Sequence, residues 1–258
     1  MQKELIIRAQ GTAFKLLQKY AQLDAIPVEL EAIACGENLR FERAYLSGCE
    51  ARLLRGHSGR GFVRISDRIK EPGRVRFALA HELGHFKMHV GQSQVQACTN
   101  GDLSDYRKKP HEAQANIFAS EILMPTVSFR ALAAKRGPTF DEIGILSEQF
   151  QVSLTAAIIR YIDLGPVEEM TLVCIGPDRR VKWSKSRYGN WDLWVEAGMR
   201  IPGSSMAESA FLAADSADPT DIHPSVWFNK AHGHTMTEEC RYMVDYKTVM
   251  SLLVLEQE

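Results

Sequence analysis

The sequence predicts an α+β protein in which a compact N-terminal domain is followed by a helical segment and a second mixed domain. Three observations predict it: two amphipathic helical stretches that carry imidazole and carboxylate side chains, three short alternating runs ahead of them, and a change of texture past Gly165–Pro166. At 258 residues there is room for two small domains, and 45% apolar with 24% charged residues is ordinary for a globular chain.

Leu5, Ile6, Ala9, Ala13, Leu16 and Leu17 recur at three- and four-residue steps, which predicts a helix over 3–21. Pro27 opens a second helix that runs through Cys35. Phe41–Leu46, Glu50–Leu54 and Gly61–Ile65 alternate, with Gly or Ser between them, and predict a small antiparallel sheet. From Gly73 to Val90 the apolar period is helical and free of proline. The polar stretch 91–110 reads as a loop, and a strong helix then runs from His111 to Leu123, stopping before Pro125. Thr139–Phe150 and Ser153–Asp163 read as two helices joined by Gln151–Val152, in helix-turn-helix fashion. Residues 170–175, 180–184 and 248–255 read as strands. These elements divide the chain at 1–135, 136–165 and 166–258.

Composition excludes several classes. A net charge of −1 lacks the positive field that sequence-independent DNA binding needs. Five cysteines without a C-x-x-C pair argue against a disulfide framework or a thiolate zinc site. No apolar stretch approaches the roughly 20 residues of a membrane helix, and Met1–Gln10 does not read as a secretory signal, so a cytoplasmic protein is expected.

His81-Glu82-Leu83-Gly84-His85 has the H-E-x-x-H form. On a helix His85 lies about 40° round from His81 and one turn along, so both rings reach one ion, while Glu82 falls on the same side. Leu79, Leu83, Phe86 and Val90 fall on the opposite, core-facing sector, and Phe77 and Met88 flank the histidines. Catalytic zinc takes three protein ligands and leaves one position for water. The metzincin spacing is absent, because Met88 and Gly91 stand where glycine and histidine would be needed. On the second helix Glu112 projects into the small, apolar sector of Ala115, Asn116, Ala119 and Leu123, where an unpaired carboxylate is costly. Glu112 is therefore read as the third ligand, the alternative being that it only favours the positive end of its helix. Glu121 points to the far side and is expected to be solvated. The predicted domain is zincin-like: a small sheet plus an active-site helix.

The run from Ile65 to His89, the segment Glu112-Ala113-Gln114-Ala115-Asn116-Ile117-Phe118-Ala119, Ile122-Leu123-Met124-Pro125 and the stretch Leu146–Ser153 resemble the ImmA/IrrE family of metallopeptidases over roughly residues 10–165. The resemblance implies that Glu112 is a zinc ligand and that the protein is a zinc endopeptidase. It further implies a helix-turn-helix repressor as target, whose cleavage derepresses stress or mobile-element genes. Family members often carry an acid where this chain has Gln114, a departure that weakens any supporting role at that position. By position the resemblance also suggests a sensory, GAF-like domain over 166–258.

Glu82 is expected to act as general base, and His81, His85 and Glu112 to hold Zn2+, although N/O ligation also suits other divalent ions. His89, His111 and Tyr106 are candidates for steadying an oxyanion, with His89 alternatively a packing residue. Gly61–Ile65 is a candidate for pairing with an extended substrate. Helices 139–163 offer only Arg160 as a base on the second helix, so a structural or docking role is expected rather than direct DNA contact. The competing reading is a regulatory binding protein with a structural or vestigial metal site.

Overall fold

The computed structural model describes residues 2–56, 58–90, 95–98, 110–187, 194–228 and 234–257. The chain divides into two compact units, one of residues 1–129 with 147–153 and one of residues 130–146 with 154–258. None of the described helices is long and apolar enough to cross a membrane, and Cys35, Cys49, Cys174 and Cys240 are free thiols.

The first unit opens with α1 (Gln2–Lys19) and α2 (Leu30–Gly36), followed by β1 (Leu39–Ala44), β2 (Ala51–Arg55) and β3 (Gly61–Ser66). The long helix α3 (Pro72–Met88), strand β4 (Val95–Cys98) and helix α4 (Pro110–Leu123) complete it. The apolar stripe of α1 buries Ala9, Ala13, Leu16 and Leu17, as its periodicity requires. Glu37 ties three helices together, accepting from Lys19 Nζ (2.6 Å), Tyr20 Oη (2.8 Å) and Lys87 Nζ (2.5 Å). Burial alone would raise that carboxyl, but the three donors hold it down at about 2.

The sheet order is β1-β3-β2-β4. Strands β2 and β3 form the expected antiparallel pair, but β1 runs parallel to β3, so the sheet is mixed and not antiparallel throughout. Pairing on both sides encloses β3, which leaves Gly61–Ile65 no free edge for an added substrate strand. Strand β4 lies within the stretch expected to be a loop, held there by antiparallel pairing with β2. Pro72 starts α3 with its φ already set for a helix. The far end of α3 is closed by arginines: Arg8 Nη2 donates to the Met88 carbonyl (2.8 Å) and Arg55 Nη1 to that of Phe86 (3.0 Å). Val90 therefore falls beyond the helix and is 80% exposed, not part of the core stripe expected for it. At the other end Gly73 permits a close approach, since a Cβ there would lie 2.4 Å from Val152 C and Ser153 N. That contact seats residues 147–153 against the start of α3.

Helices α5 (Thr126–Ala133), α6 (Phe140–Phe150) and α7 (Leu154–Leu164) follow. The second unit continues with β5 (Met170–Ile175), β6 (Val181–Ser186), α8 (Met206–Ala213), β7 (Ala217–Ile222), β8 (His234–Met243) and β9 (Thr248–Gln257). The five strands form an antiparallel sheet in the order β6-β5-β9-β8-β7. Thr155 of α7 donates to Met250 Sδ (3.4 Å) on one face. On the other, Val173, Ile175, Leu253 and Leu255 form a core with Ala207 and Ala210 of α8. Beneath the start of α8 lies Glu238, fully buried. It accepts from Met206 N (3.0 Å), Ala207 N (3.1 Å), Trp227 Nε1 (3.0 Å) and Ser251 Oγ (2.8 Å).

Candidate metal centre

Helices α3 and α4 pack side by side, and glycine at 84 is what lets them. A Cβ at Gly84 would stand 2.9 Å from Phe118 Cδ1 and 3.4 Å from Ala115 Cα, both on α4. Ala115 and Ala119 are completely buried in the same contact. Gly84→Val is expected to lower stability by about 1–3 kcal/mol, because Phe118 is itself fully buried, and to weaken the binding of a metal ion by moving α4 away from the histidines. Urea unfolding together with chelator competition measures both, and a variant with parental stability and affinity would show that the approach is not constrained at this point.

This approach brings three ligand atoms together. His81 Nε2 and His85 Nε2 are 3.0 Å apart, and Glu112 Oε2 lies 3.1 Å from the first and 3.2 Å from the second. Among the described residues, His81, His85 and Glu112 form a group able to hold a metal ion. Tetrahedral zinc with ligands at about 2.0–2.1 Å sets neighbouring donor atoms roughly 3.3 Å apart, so this triangle of two imidazoles and a carboxylate fits the ion in spacing and in donor chemistry. Both rings are buried, with Phe77 over His81 at 6.4 Å between ring centroids.

The electrostatics reflect the crowding. Burial pushes the His81 imidazolium down, but the Glu112 hydrogen bond and the charges of Glu82 and Glu112 outweigh it and raise the pKa. For His85 burial prevails, aided by the charges of His81 and Arg55, and the pKa is lowered. Burial opposes the charge on Glu112, yet the two histidines hold its carboxyl well below the usual range. Glu82 is fully buried beside this group, near enough for its charge to act on both His81 and Arg55.

Residues around the triangle include some that the sequence did not single out. His81 Nδ1 pairs with Asn116 Oδ1 (2.8 Å), and His85 Nδ1 with His89 Nδ1 (2.8 Å). His89 is buried, burial pushes its pKa down to about 4, and its Nε2 pairs with Gln114 Oε1 (2.9 Å). With both nitrogens engaged, His89 is not available as an oxyanion donor. His111 is exposed and meets the His89 ring edge-on at 4.7 Å, and Tyr106 lies outside the described residues. Asn116 sits one turn after Glu112 on the same helix face, and a buried amide in that position needs a partner, which was the available signal. Glu121 is buried rather than solvated. Its carboxylate accepts from Thr126 N (2.9 Å) and Thr126 Oγ1 (2.8 Å), capping the helix that follows its own.

Residues 38–161 match the family model of the IrrE N-terminal-like domain. Through this segment, just under half of its length, the chain is similar to the ImmA/IrrE family. A curated relative, the radiation response metalloprotease IrrE of Deinococcus radiodurans, is 27% identical over 112 residues, which is 43% of this chain and 34% of that protein. The chain thus aligns with about a third of that relative's length. A solved structure of a Mycobacterium tuberculosis transcriptional regulator shares the fold, with a TM-score of 0.59 at 15% identity over 97% of this chain and 75% of that one. The matched model is a peptidase one, and the His81, His85 and Glu112 triangle lies inside the matched segment.

Proposed function

We propose that the chain is a zinc-dependent endopeptidase in which His81, His85 and Glu112 hold the metal and Glu82 is the general base. The observation that carries this reading is the meeting of two buried imidazole nitrogens and one half-buried carboxylate oxygen within 3.0–3.2 Å of one another, next to a buried Glu82. A bound zinc ion supplies Lewis-acid polarisation of the scissile carbonyl and acidifies its water. Glu82 removes the proton from the attacking water and delivers it to the leaving amine; the water oxygen bonds to the carbonyl carbon as the C–N bond breaks, and the second water proton passes to the amine to leave a carboxylate and an ammonium group. His81 and His85, fixed by Asn116 and His89, keep their Nε2 atoms turned toward Glu112 Oε2, where they would hold the ion.

The substrate is read as a helix-turn-helix repressor, cleaved in the cytoplasm to derepress stress or mobile-element genes, a reading supported by the similarity to the IrrE N-terminal-like domain. Peptidase chemistry is assigned to residues 1–135, substrate docking to 136–165 and sensing to 166–258. The GAF-like reading of the last region is supported by an antiparallel sheet whose first and last strands, β5 and β9, pair at its centre. Elemental analysis of the purified protein and a cleavage assay on a candidate repressor test the reading. The parent chain is expected to bind zinc and cut the repressor, and His81→Ala to do neither. A zinc-loaded parent that binds repressors without cutting them would favour a regulatory binding protein.

A further inference from the structure

The Nε2 atom of His85 can serve as a ligand only when it carries a lone pair, and the residues that decide this lie farther out. Gln114 is 1% exposed and spans two partners: its Nε2 donates to the Leu5 carbonyl (3.2 Å), and its Oε1 lies 2.9 Å from His89 Nε2. A carbonyl oxygen only accepts, so the Leu5 contact decides which end of the amide is the NH2, and the amide oxygen is left facing the imidazole. His89 Nε2 therefore carries the hydrogen and donates it to Gln114. The other nitrogen of His89, Nδ1, is then an acceptor, and it lies 2.8 Å from His85 Nδ1. His85 accordingly bears its hydrogen on Nδ1 and presents a lone pair at Nε2, the atom 3.2 Å from Glu112 Oε2.

We propose that Gln114 and His89 are positioning residues that fix the tautomer of His85 for metal binding, with the backbone of α1 as the anchor of the chain of hydrogen bonds. Leu5 lies outside the family-matched segment 38–161, so the orientation of one candidate ligand is set by a helix that the matched domain does not contain. Where an acid at position 114 could only accept, the amide both accepts from His89 and donates to Leu5. The inference rests on His85 being a ligand, but its first test needs no metal.

Long-range 1H–15N spectra of the metal-free full chain read ring protonation directly. The expected result is His85 protonated on Nδ1 and bare at Nε2, with His89 in the reverse state. Gln114→Leu should erase this bias in both rings and weaken zinc binding, measured by competition with a chelator, by about tenfold or more. Gln114→Glu keeps an oxygen toward His89 and should keep the ring pattern, which a residue that merely fills space would not distinguish from Gln114→Leu. A parent chain with His85 protonated on Nε2, or a folded Gln114→Leu with parental ring shifts and zinc affinity, overturns the proposal. Should Gln114→Leu not fold, the parent spectrum and Gln114→Glu decide it. The expected ring pattern in a chain that takes up no zinc would refute the peptidase reading and leave the hydrogen-bond chain standing.

Discussion

Glu82→Gln is expected to take up zinc as the parent chain does and to lose at least about 10²–10⁴-fold in cleavage rate, the range that removal of a general base costs. The substitution is close to isosteric and takes away a charge and a basic oxygen, not a ligand, since the triangle of donor atoms consists of His81, His85 and Glu112. Helix α3 should stay in place, because Arg55 continues to donate to the Phe86 carbonyl at its far end. Metal content and single-turnover cleavage of a repressor substrate would be measured on the same preparation. Parental activity in the variant would remove Glu82 from the mechanism. Loss of zinc would instead mean that the carboxylate helps to hold the ion.

The second large effect concerns the other unit. Glu238→Ala is expected to cost about 3–5 kcal/mol of stability, since each buried donor left without its acceptor costs about 1–3 kcal/mol. The loss strands Met206 N and Ala207 N at the start of α8, together with Trp227 Nε1 and Ser251 Oγ, all of which now donate to this one carboxylate. The helix end favours an anion there, so alanine removes both the acceptor and the charge that the aligned N–H groups prefer. Denaturant unfolding followed by tryptophan fluorescence is the measurement, and a midpoint within experimental error of the parent would show that the network contributes nothing net.

Glu238 also shows why the second unit was hard to read. In β8 the residues on the α8 face are Met236, Glu238 and Cys240, and a glutamate at the centre of a buried row disguises the apolar alternation that marks a strand. Strand β7, Ala217–Ile222, is largely exposed and contains a proline, so its pairing with β8 rather than its own composition makes it a strand. Strands β5 and β9 were legible because they are nearly continuous apolar runs. In the first unit, α3 and α4 could be read from helical period and motif. Strand direction could not: the alternation in Leu39–Ala44 is the same whether its neighbour runs parallel or antiparallel. The triangle was foreseen residue by residue, because H-E-x-x-H fixes two members and the sector of Glu112 suggests the third. Its supports were not, since Asn116 and Gln114 are ordinary polar residues until packing buries them. Glu121 was misplaced for a related reason: a helical wheel does not see the Thr126 N–H that the next helix brings to it.

The close packing of Gly73 against Val152 and Ser153 carries a consequence for biogenesis. All three candidate ligands have been synthesised once Glu112 is added, yet the stretch that packs on the start of the histidines' helix comes later, after residues 130–146, which belong to the other unit. Vectorial synthesis therefore cannot finish the N-terminal unit before the C-terminal one has begun, because the chain must return to deliver that segment.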